Sequence, residues 1–288
     1  MSLRHFLSIT DLSPAEVRET LVLANDIKRH PERYRTALAG QTLAMIFQKK
    51  STRTRVSFEV GMFQLGGHAL FLSAADIQIG RGETIADTAR TISRYCNGIM
   101  ARVYGHEIVE ELSQFATVPV INGLSDLYHP CQILADLQAL VELRGKVDGL
   151  HLAFIGDGNN MVHSWMLAAS KLGMRFTLAC PKGYEPDADI LAECQAAAPG
   201  RIAVTNDVQE AARGADVLYT DVWTSMGQED ESERRRKVFA RYQVNRELLE
   251  LAAPDALVMH CLPAHRGEEI TAEVLEGPRS VVLEQAEN

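Results

Sequence analysis

Cysteine, aromatic residues and long apolar runs are all scarce in this chain of 288 residues. Aromatic residues make up 6% of it, and the five cysteines are widely spaced, with no C-x-x-C pair. This usage argues against a disulfide framework and a zinc ribbon, and it favours a reducing compartment. No apolar run reaches membrane-spanning length, and the first residues resemble neither a signal peptide nor a transit peptide. We therefore expect a cytoplasmic protein without a membrane span.

Positive charge is also in short supply. Against 38 acidic residues there are 29 lysines and arginines, a net charge of −9, and the longest basic run covers only residues 234–237. Nucleic acid is not an expected partner, because binding it requires a positive face that neutralises phosphates. The charged stretch 228–237 predicts a solvated loop that runs into a helix.

Short apolar runs alternate with amphipathic stretches, a pattern typical of βα units that build parallel sheets. The predicted strands are 42–47, 69–72, 99–103, 118–121, 151–155, 175–179, 202–204, 217–220, 257–259 and 280–283. The predicted helices are 53–65, 84–95, 107–115, 131–143, 161–172, 187–198 and 245–251. A polar break containing two glycines follows helix 131–143. The fold class is therefore α/β with two domains, 1–145 and 146–288, each a parallel sheet flanked by helices, joined by an interdomain helix.

The first strand leads into Ser-Thr-Arg-Thr-Arg at 51–55, and a helix follows at once. Hydroxyls and guanidiniums thus lie at a helix N-terminus, where backbone N–H groups and the helix dipole favour an anion. Arginine matches phosphate oxygens with two parallel hydrogen bonds. A single hydroxyl here would be an ordinary helix cap, but the full run predicts a site for phosphate or carboxylate.

Two other helix starts carry polar residues. His-Pro-Cys-Gln at 129–132 opens the interdomain helix, and it is either a structural cap or a site where His129 donates to a carbonyl oxygen. Gly-Asp-Gly-Asn-Asn at 156–160 half-matches a dinucleotide-binding loop, but Met161 replaces the third glycine. No acidic residue follows the next strand to hold a ribose, so nicotinamide binding is weakly supported.

Polar residues also follow two strands of the second half. Asp221 comes directly after strand 217–220, and His-Cys-Leu-Pro at 260–263 follows strand 257–259. A buried cysteine is usually inert, and Asp221 alone would suit a turn. Together, at strand ends of an open parallel sheet, they predict a second pocket for a polar ligand.

Four motifs, in their order and spacing, closely resemble those of the ornithine carbamoyltransferases. They are Ser-Thr-Arg-Thr-Arg at 51–55, His-Pro-Cys-Gln at 129–132, Asp-x-x-x-Ser-Met-Gly at 221–227 and His-Cys-Leu-Pro at 260–263. The first two are shared with the aspartate carbamoyltransferases. The last is of the ornithine type, since the aspartate enzymes have His-Pro-x-Pro.

The resemblance implies an N-terminal carbamoyl-phosphate domain, a C-terminal amino-acid domain, and a homotrimer or a multiple of trimers, with active sites between subunits. It implies catalytic roles for Arg102, His129, Asp221 and Cys261. The implied substrate-binding residues are Ser51, Thr52, Arg53, Thr54, Gln78, Gln132, Asn160, Ser225, Met226 and Leu262. Of these, Gln78 is expected to reach the phosphate in a neighbouring subunit. The family also continues past the position of Asn288 with an arginine and a helix, so we expect its C-terminal helix to be missing here.

The expected reaction transfers the carbamoyl group of carbamoyl phosphate to the side-chain amine of L-ornithine, giving citrulline and phosphate. A neutral amine attacks a carbonyl and phosphate leaves, so fixed donors are needed and neither a metal nor an organic cofactor is required. Three alternatives stay open. They are transfer to another amine such as putrescine, a non-catalytic ligand-binding relative, and a nicotinamide-dependent oxidoreductase.

Overall fold

The computed structural model describes residues 3–79, 82–225, 227 and 229–288. The chain divides into two compact units, Met1–Leu134 and Ala135–Asn288. The division falls inside helix α5 (Pro130–Arg144), whereas the sequence predicts a boundary after that helix, at 145/146. Among the described residues, no helix is long and apolar enough to cross a membrane.

The first unit is built on a four-stranded parallel sheet. Its strands are β1 (Thr42–Phe47), β2 (His68–Ser73), β3 (Gly98–Arg102) and β4 (Val120–Leu124), in the order β2-β1-β3-β4. The helices before α5 are α1 (Pro14–Arg29), α2 (Thr52–Gln64), α3 (Ile85–Ile92) and α4 (His106–Phe115). Strand β1 is central and five of its six residues are buried, so an unbroken apolar run suits it.

The second unit contains a five-stranded parallel sheet. Its strands are β5 (His151–Ile155), β6 (Arg175–Ala179), β7 (Ile202–Thr205), β8 (Val217–Thr220) and β9 (Leu257–His260), in the order β7-β6-β5-β8-β9. Its further helices are α6 (Asn160–Leu172), α7 (Ala188–Ala197), α8 (Val208–Ala212), α9 (Ser232–Phe239), α10 (Arg246–Leu251), α11 (Ala272–Leu275) and α12 (Val282–Glu287).

Each sheet has one point where the strand order reverses. In the first unit β1 and β3 are neighbours, and in the second β5 and β8 are neighbours. Chains leaving such strands turn to opposite sides, which opens a crevice at the carboxyl ends where ligands of α/β proteins bind. The predicted polar motifs follow these strands.

Nine predicted strands are confirmed with ends that shift by at most three residues, and the α/β class is confirmed. The predicted strand 280–283 is wrong. Ser280 forms a single bridge to Val258, and the chain then enters α12 at Val282. A short apolar run does not distinguish a strand from one side of a buried helix, and here helix packing prevails.

Candidate functional site

The N-terminus of α2 lies at the strand reversal of the first unit. Ser51 is the N-cap, and its Oγ accepts from the backbone N–H of Thr54 (3.2 Å) while donating to Thr54 Oγ1 (3.0 Å). Strand β1 ends four residues earlier, beside Arg102 at the end of β3. The backbone N–H of Gln48 donates to the Arg102 carbonyl (2.8 Å) and ties the two strand ends together. The hydroxyl run and Arg102 therefore share one edge of the sheet.

The two arginines of this run have different surroundings. Arg55 donates to Glu59 (3.0 Å), and its guanidinium lies 3.8 Å from the centroid of the Phe71 ring. Arg53 is half-buried and makes no hydrogen bond or ion pair with any residue that the structure describes. Arg53 is therefore the cation of the pair that is available to an anion at the start of α2.

His129 lies directly before the first residue of α5. Burial lowers the pKa of His129 well below its usual value, and the positive charge of Arg102 lowers it further. The imidazole is therefore neutral at physiological pH, which leaves it one N–H to donate. Arg102 itself is 6% exposed, so its charge acts in a poorly solvated environment. Gln132 lies one turn into α5 and is half-buried.

Gln78 lies between β2 and α3 and is exposed. It is separated in the sequence from the α2 motif, and nothing in the described part of its own chain holds it. Gln78 therefore lies on the surface. Its reach toward another subunit stays a prediction.

In the second unit, Asp221 and Cys261 leave neighbouring strands and meet. The Cys261 Sγ–H donates to Asp221 Oδ1 (3.0 Å), which also accepts from the Val222 N–H (2.8 Å). They converge because β8 and β9 pair in parallel, so that their carboxyl ends lie side by side. Both side chains are half-buried, and the pair forms the polar centre of this edge.

Asn159 is a functional candidate that sequence reasoning missed. It is the N-cap of α6, its Oδ1 accepting from the Met161 N–H (3.0 Å), and its Nδ2 donates to Asp221 Oδ2 (3.2 Å). The predicted binding residue Asn160 is the first residue of α6 and is half-buried beside it. The signal was present in the sequence, because asparagine before a helical run is a typical cap. Its second role depends on β5 and β8 being neighbours.

A buried ion pair lies next to Asp221. Arg235 of α9 donates to Asp157 Oδ2 (2.8 Å) and to the Trp223 carbonyl (2.9 Å), and its guanidinium lies 5.0 Å from the Tyr184 ring centroid. Burial raises the pKa of Asp157 although Arg235 opposes this shift. The charged stretch 228–237 does run into a helix, but Arg235 is only 6% exposed, so its predicted solvation is wrong at this residue.

Two predicted residues follow Asp221 in the chain. Ser225 is half-buried, and Met226 lies outside the described residues. Leu262 is half-buried, has φ +56°, and donates its N–H to His260 Nδ1 (2.8 Å). Leu262 therefore turns the chain directly after Cys261.

The half-match to a dinucleotide loop has a packing explanation. A Cβ on Gly158 would lie 2.4 Å from the backbone nitrogen of Pro186, and the Gly158 N–H donates to the Tyr184 carbonyl (2.9 Å). Glycine is required there because the chain at 184–186 passes against it. The motif therefore carries no evidence for nicotinamide.

Asp221, His260 and Cys261 are residues of types that bind metals, and their possible ligand atoms lie within 4.8 Å of one another. His260 Nδ1 accepts from Leu262, so the ring proton lies on Nε2, which donates to Glu269 Oε1 (3.1 Å). Both nitrogens of His260 are thus occupied by protein partners. The arrangement suits a hydrogen-bonded thiol and carboxylate better than a metal.

The sequence matches two family profiles that together cover nearly the whole chain. The "Aspartate/ornithine carbamoyltransferase, carbamoyl-P binding domain" matches residues 4–142, and the "Aspartate/ornithine carbamoyltransferase, Asp/Orn binding domain" matches residues 148–288. The chain belongs to the aspartate/ornithine carbamoyltransferase family.

Individual relatives lie on the ornithine side of that family. The chain is 57% identical to the ornithine carbamoyltransferase of Anoxybacillus flavithermus, over 99% of this chain and 92% of the relative, and 54% identical to that of Methanosarcina mazei, over 99% and 95%. The solved ornithine carbamoyltransferase of Pyrococcus furiosus has a TM-score of 0.95 at 52% identity, with 99% of this chain and 92% of that chain covered.

Proposed function

We propose that this protein transfers the carbamoyl group of carbamoyl phosphate to the side-chain amine of L-ornithine, giving citrulline and phosphate. The observation that carries the proposal is the hydrogen bond between Cys261 and Asp221 at the carboxyl ends of β9 and β8. It belongs to the ornithine-type His-Cys-Leu-Pro motif, and the similar proteins named above are ornithine carbamoyltransferases.

The phosphate is proposed to bind at the start of α2. Ser51, Thr52 and Thr54 supply hydroxyls there, and the helix dipole adds a favourable field. Arg53, which has no partner of its own among the described residues, supplies the balancing charge. Arginine suits this task because two of its N–H groups can contact two phosphate oxygens at once.

The carbonyl oxygen gains negative charge when the amine attacks. Arg102 and His129 are proposed to donate to it, with Thr54 as a third donor and Gln132 holding the carbamoyl nitrogen. A neutral imidazole is suited to this role because its one N–H can donate to the oxygen without placing a second buried positive charge beside Arg102. Losing one such donor typically lowers the rate by about 10²–10³-fold.

The amine end is proposed to lie at Asp221 and Cys261. Asp221 attracts the ammonium form of the side chain, which releases one proton to solvent, and it then orients the neutral amine. The Cys261 thiol donates to Asp221, and its sulfur can accept from an N–H of the amine. Phosphate leaves as the new C–N bond forms, and the amine proton passes to the departing phosphate. Asn160, Ser225, Met226 and Leu262 are proposed to hold the rest of ornithine.

The balance of this reaction requires no oxidant, reductant or group carrier. Carbamoyl phosphate is a mixed anhydride, so its carbonyl carbon already carries a good leaving group, phosphate. We propose that positioning and fixed donors supply the catalysis, without a metal or organic cofactor.

The test is a carbamoyl-phosphate assay with ornithine, putrescine and aspartate in parallel, with citrulline and the other carbamoylated products measured directly. We expect ornithine to give the highest kcat/KM. Putrescine lacks the α-amino and α-carboxylate groups, and aspartate would bring a second carboxylate toward Asp221. Preferred turnover of putrescine or aspartate would contradict the substrate, and no turnover of any of the three would favour a ligand-binding protein.

A homotrimer is proposed as the active unit. None of the side chains of α2 is buried in the single chain, and Val56, Val60 and Phe63 form an exposed apolar stripe at i, i+4 and i+7, with Phe63 80% exposed. Such a stripe at a binding site is typical of a surface that a neighbouring subunit covers. Gln78, exposed and without a partner among the described residues, is then free to reach that subunit's phosphate.

Complementation tests the shared site. Two inactive variants, Arg53→Ala and Gln78→Ala, are mixed, dissociated and reassembled, because a hybrid assembly would contain some sites with both residues intact. We expect partial recovery of activity in the mixture and none in either variant treated alone. Full activity from a wild-type monomer, shown by light scattering at assay concentration, would contradict the proposal.

A cytoplasmic location and a role in arginine biosynthesis complete the proposal. All five cysteines are free thiols, which suits a reducing compartment. Fractionation of the native cells would test the location, and arginine auxotrophy on deletion of the gene would test the role.

A further inference from the structure

Three buried side chains form hydrogen bonds to one another next to the strands that carry Asp221 and Cys261. The members of this group are Asp136 of α5, Tyr219 of β8 and Gln285 of α12, and each is at most 2% exposed. Tyr219 O–H donates to Asp136 Oδ2 (2.9 Å), and Gln285 Nε2 donates to Asp136 Oδ1 (2.7 Å) and to the Tyr219 oxygen (2.9 Å). The remaining polar atom of the Gln285 amide, Oε1, accepts from the backbone N–H of His260 (3.0 Å).

This last contact connects the group to the site. His260 precedes Cys261, and Tyr219 lies two residues before Asp221, so the group contacts both strands from which the pair projects. Every polar atom of the Gln285 side chain has a partner, which defines the orientation of the amide. Buried polar groups that are fully satisfied in this way rigidify their surroundings.

The ionisation of the group is consistent with this geometry. Burial raises the pKa of Tyr219 well above its usual value, and the charge of Asp136 raises it further. Tyr219 therefore remains a hydroxyl donor across the range in which enzymes work. The charge of Asp221 also raises the pKa of Tyr219, so the Cys261–Asp221 pair lies within electrostatic reach of the group.

We propose that Gln285 is a positioning residue for the amine site, which holds the peptide of His260 so that the Cys261 thiol stays on Asp221. This rests on the proposed function for its effect on catalysis, since the same pair is assigned there to the amine of ornithine. The hydrogen bonds of the Gln285 side chain go to Asp136, Tyr219 and the His260 N–H, so it acts through the ends of β8 and β9. Neither the motifs nor the predicted strand 280–283 assigned it a role.

The main variant is Gln285→Met, which keeps the length of the side chain and removes all three hydrogen bonds. We expect kcat/KM for ornithine to fall by about 10–100-fold, because buried donors and acceptors left unsatisfied shift to find new partners. The KM for carbamoyl phosphate should stay within about twofold, since the hydrogen bonds that the variant removes all lie in the second unit. Tyr219→Phe keeps the ring and removes one hydroxyl, so it should give a smaller loss in the same direction.

Val282→Ala is the matched control. Val282 is a buried residue of the same helix, packed in the apolar core and outside the hydrogen-bonded group. The substitution lowers stability through lost packing but leaves the Gln285 amide in place. Its effect on kinetics therefore shows what a general loosening of α12 does by itself. An equal fall in kcat/KM with Val282→Ala, or an equal rise in both KM values with Gln285→Met, would overturn the positioning role.

A second readout does not depend on turnover of ornithine. A carboxylate that accepts from a thiol keeps the proton on sulfur, and the thiolate is the form that reacts with iodoacetamide. The rate of alkylation of Cys261 is measured by mass spectrometry of the peptide that contains it, with Cys261→Ser as the blank. We expect this rate to be at least about threefold higher in Gln285→Met than in wild type. Unchanged alkylation in both Gln285→Met and Tyr219→Phe would overturn the inference. Absence of citrulline formation by wild type would overturn the proposed function instead.

Discussion

The polar residues at the carboxyl edges of the two sheets differ in how far protein partners already hold them. In the first unit, Arg53 has no partner among the described residues, and no side chain of its helix is buried. In the second unit, Asp221 holds Cys261 and Asn159, and the strand ends beneath are tied to Gln285. The difference matches the proposed ligands. A phosphate brings its own charge and completes a set of open donors, whereas an uncharged attacking amine must be oriented by groups already held in place.

The largest loss of activity is expected at Arg53, where the phosphate of the substrate is proposed to be the partner of the guanidinium. Arg53→Ala should lower kcat/KM for carbamoyl phosphate by about 10²–10³-fold, because two charge-assisted hydrogen bonds to phosphate are lost. Steady-state kinetics with carbamoyl phosphate varied, and inhibition by inorganic phosphate, provide the measurement.

Arg55→Ala is the control, since Arg55 is already paired with Glu59 and covers Phe71. Its effect should stay within about threefold, as is usual for an exposed i, i+4 pair. Equal losses in the two variants, or unchanged phosphate inhibition in Arg53→Ala, would contradict the assignment of Arg53.

The next effect concerns the pair at the second sheet. Asp221→Ala should lower kcat/KM for ornithine by about a hundredfold, because it removes a charge and leaves Cys261 and Asn159 without their acceptor. Cys261→Ser keeps a donor and an acceptor in place, so its loss should be about tenfold or less. A loss within about threefold in Asp221→Ala, well under 1 kcal/mol, would exclude Asp221 from the amine site.

Asn159 makes two contacts with different expected consequences. Its cap on α6 affects stability, and its hydrogen bond to Asp221 affects the amine site. Asn159→Ala should destabilise α6 by about 1 kcal/mol through loss of the cap, and lower kcat/KM for ornithine several-fold through release of Asp221. Thermal unfolding and ornithine kinetics measure the two effects separately.

Asp187 provides a matched cap, since it accepts from the first-turn N–H groups of α7 without contacting Asp221. Asp187→Ala should show a similar loss of stability with unchanged ornithine kinetics. A parallel loss of kcat/KM in both variants would mean that Asn159 acts only as a cap.

The smallest effect is a pH dependence of stability in the first unit. His129 has a lowered pKa in the folded protein, so below about pH 6.5 the unfolded chain binds a proton that the folded site does not. Stability should therefore fall as the pH falls, by about 1 kcal/mol between pH 7.5 and 5.5 for this group. Comparing unfolding of wild type and His129→Gln at the two pH values isolates the contribution.

Glutamine is close to histidine in size and does not titrate, so the difference between the two proteins at each pH reports the proton on His129. If His129→Gln loses as much stability on acidification as wild type, folding does not lower the pKa of His129 and this prediction is wrong.

Local patterns in the sequence were sufficient for much of the fold. Alternating apolar runs and amphipathic stretches correctly predicted nine strands, and the predicted helix 245–251 is α10, which begins one residue later. The exception, 280–283, shows the limit of such patterns, because three consecutive apolar residues suit a buried strand and a short buried helix equally well. The boundary at 145/146 was placed at a glycine-bearing break, while the compact units divide within α5.

The site shows the same limit in its chemistry. Residue types at strand ends are visible in the sequence, so the run at 51–55, Asp221 and Cys261 could be identified from their motifs alone. Partners distant in the chain could not. Asn159 reaches Asp221 across 62 positions, and Gln285 reaches Asp136 across 149.

The sequence alone was therefore enough for the class of fold, the strands that carry polar ends, and the family with its expected chemistry. Tertiary structure was needed to identify which of those strand ends become neighbours, which arginine has no partner among the described residues, and which buried amide accepts from the His260 peptide. The reason is physical. Secondary structure follows from periodicity within a few residues, whereas hydrogen bonds between elements depend on strand order and burial, which emerge only when the sheets and helices pack.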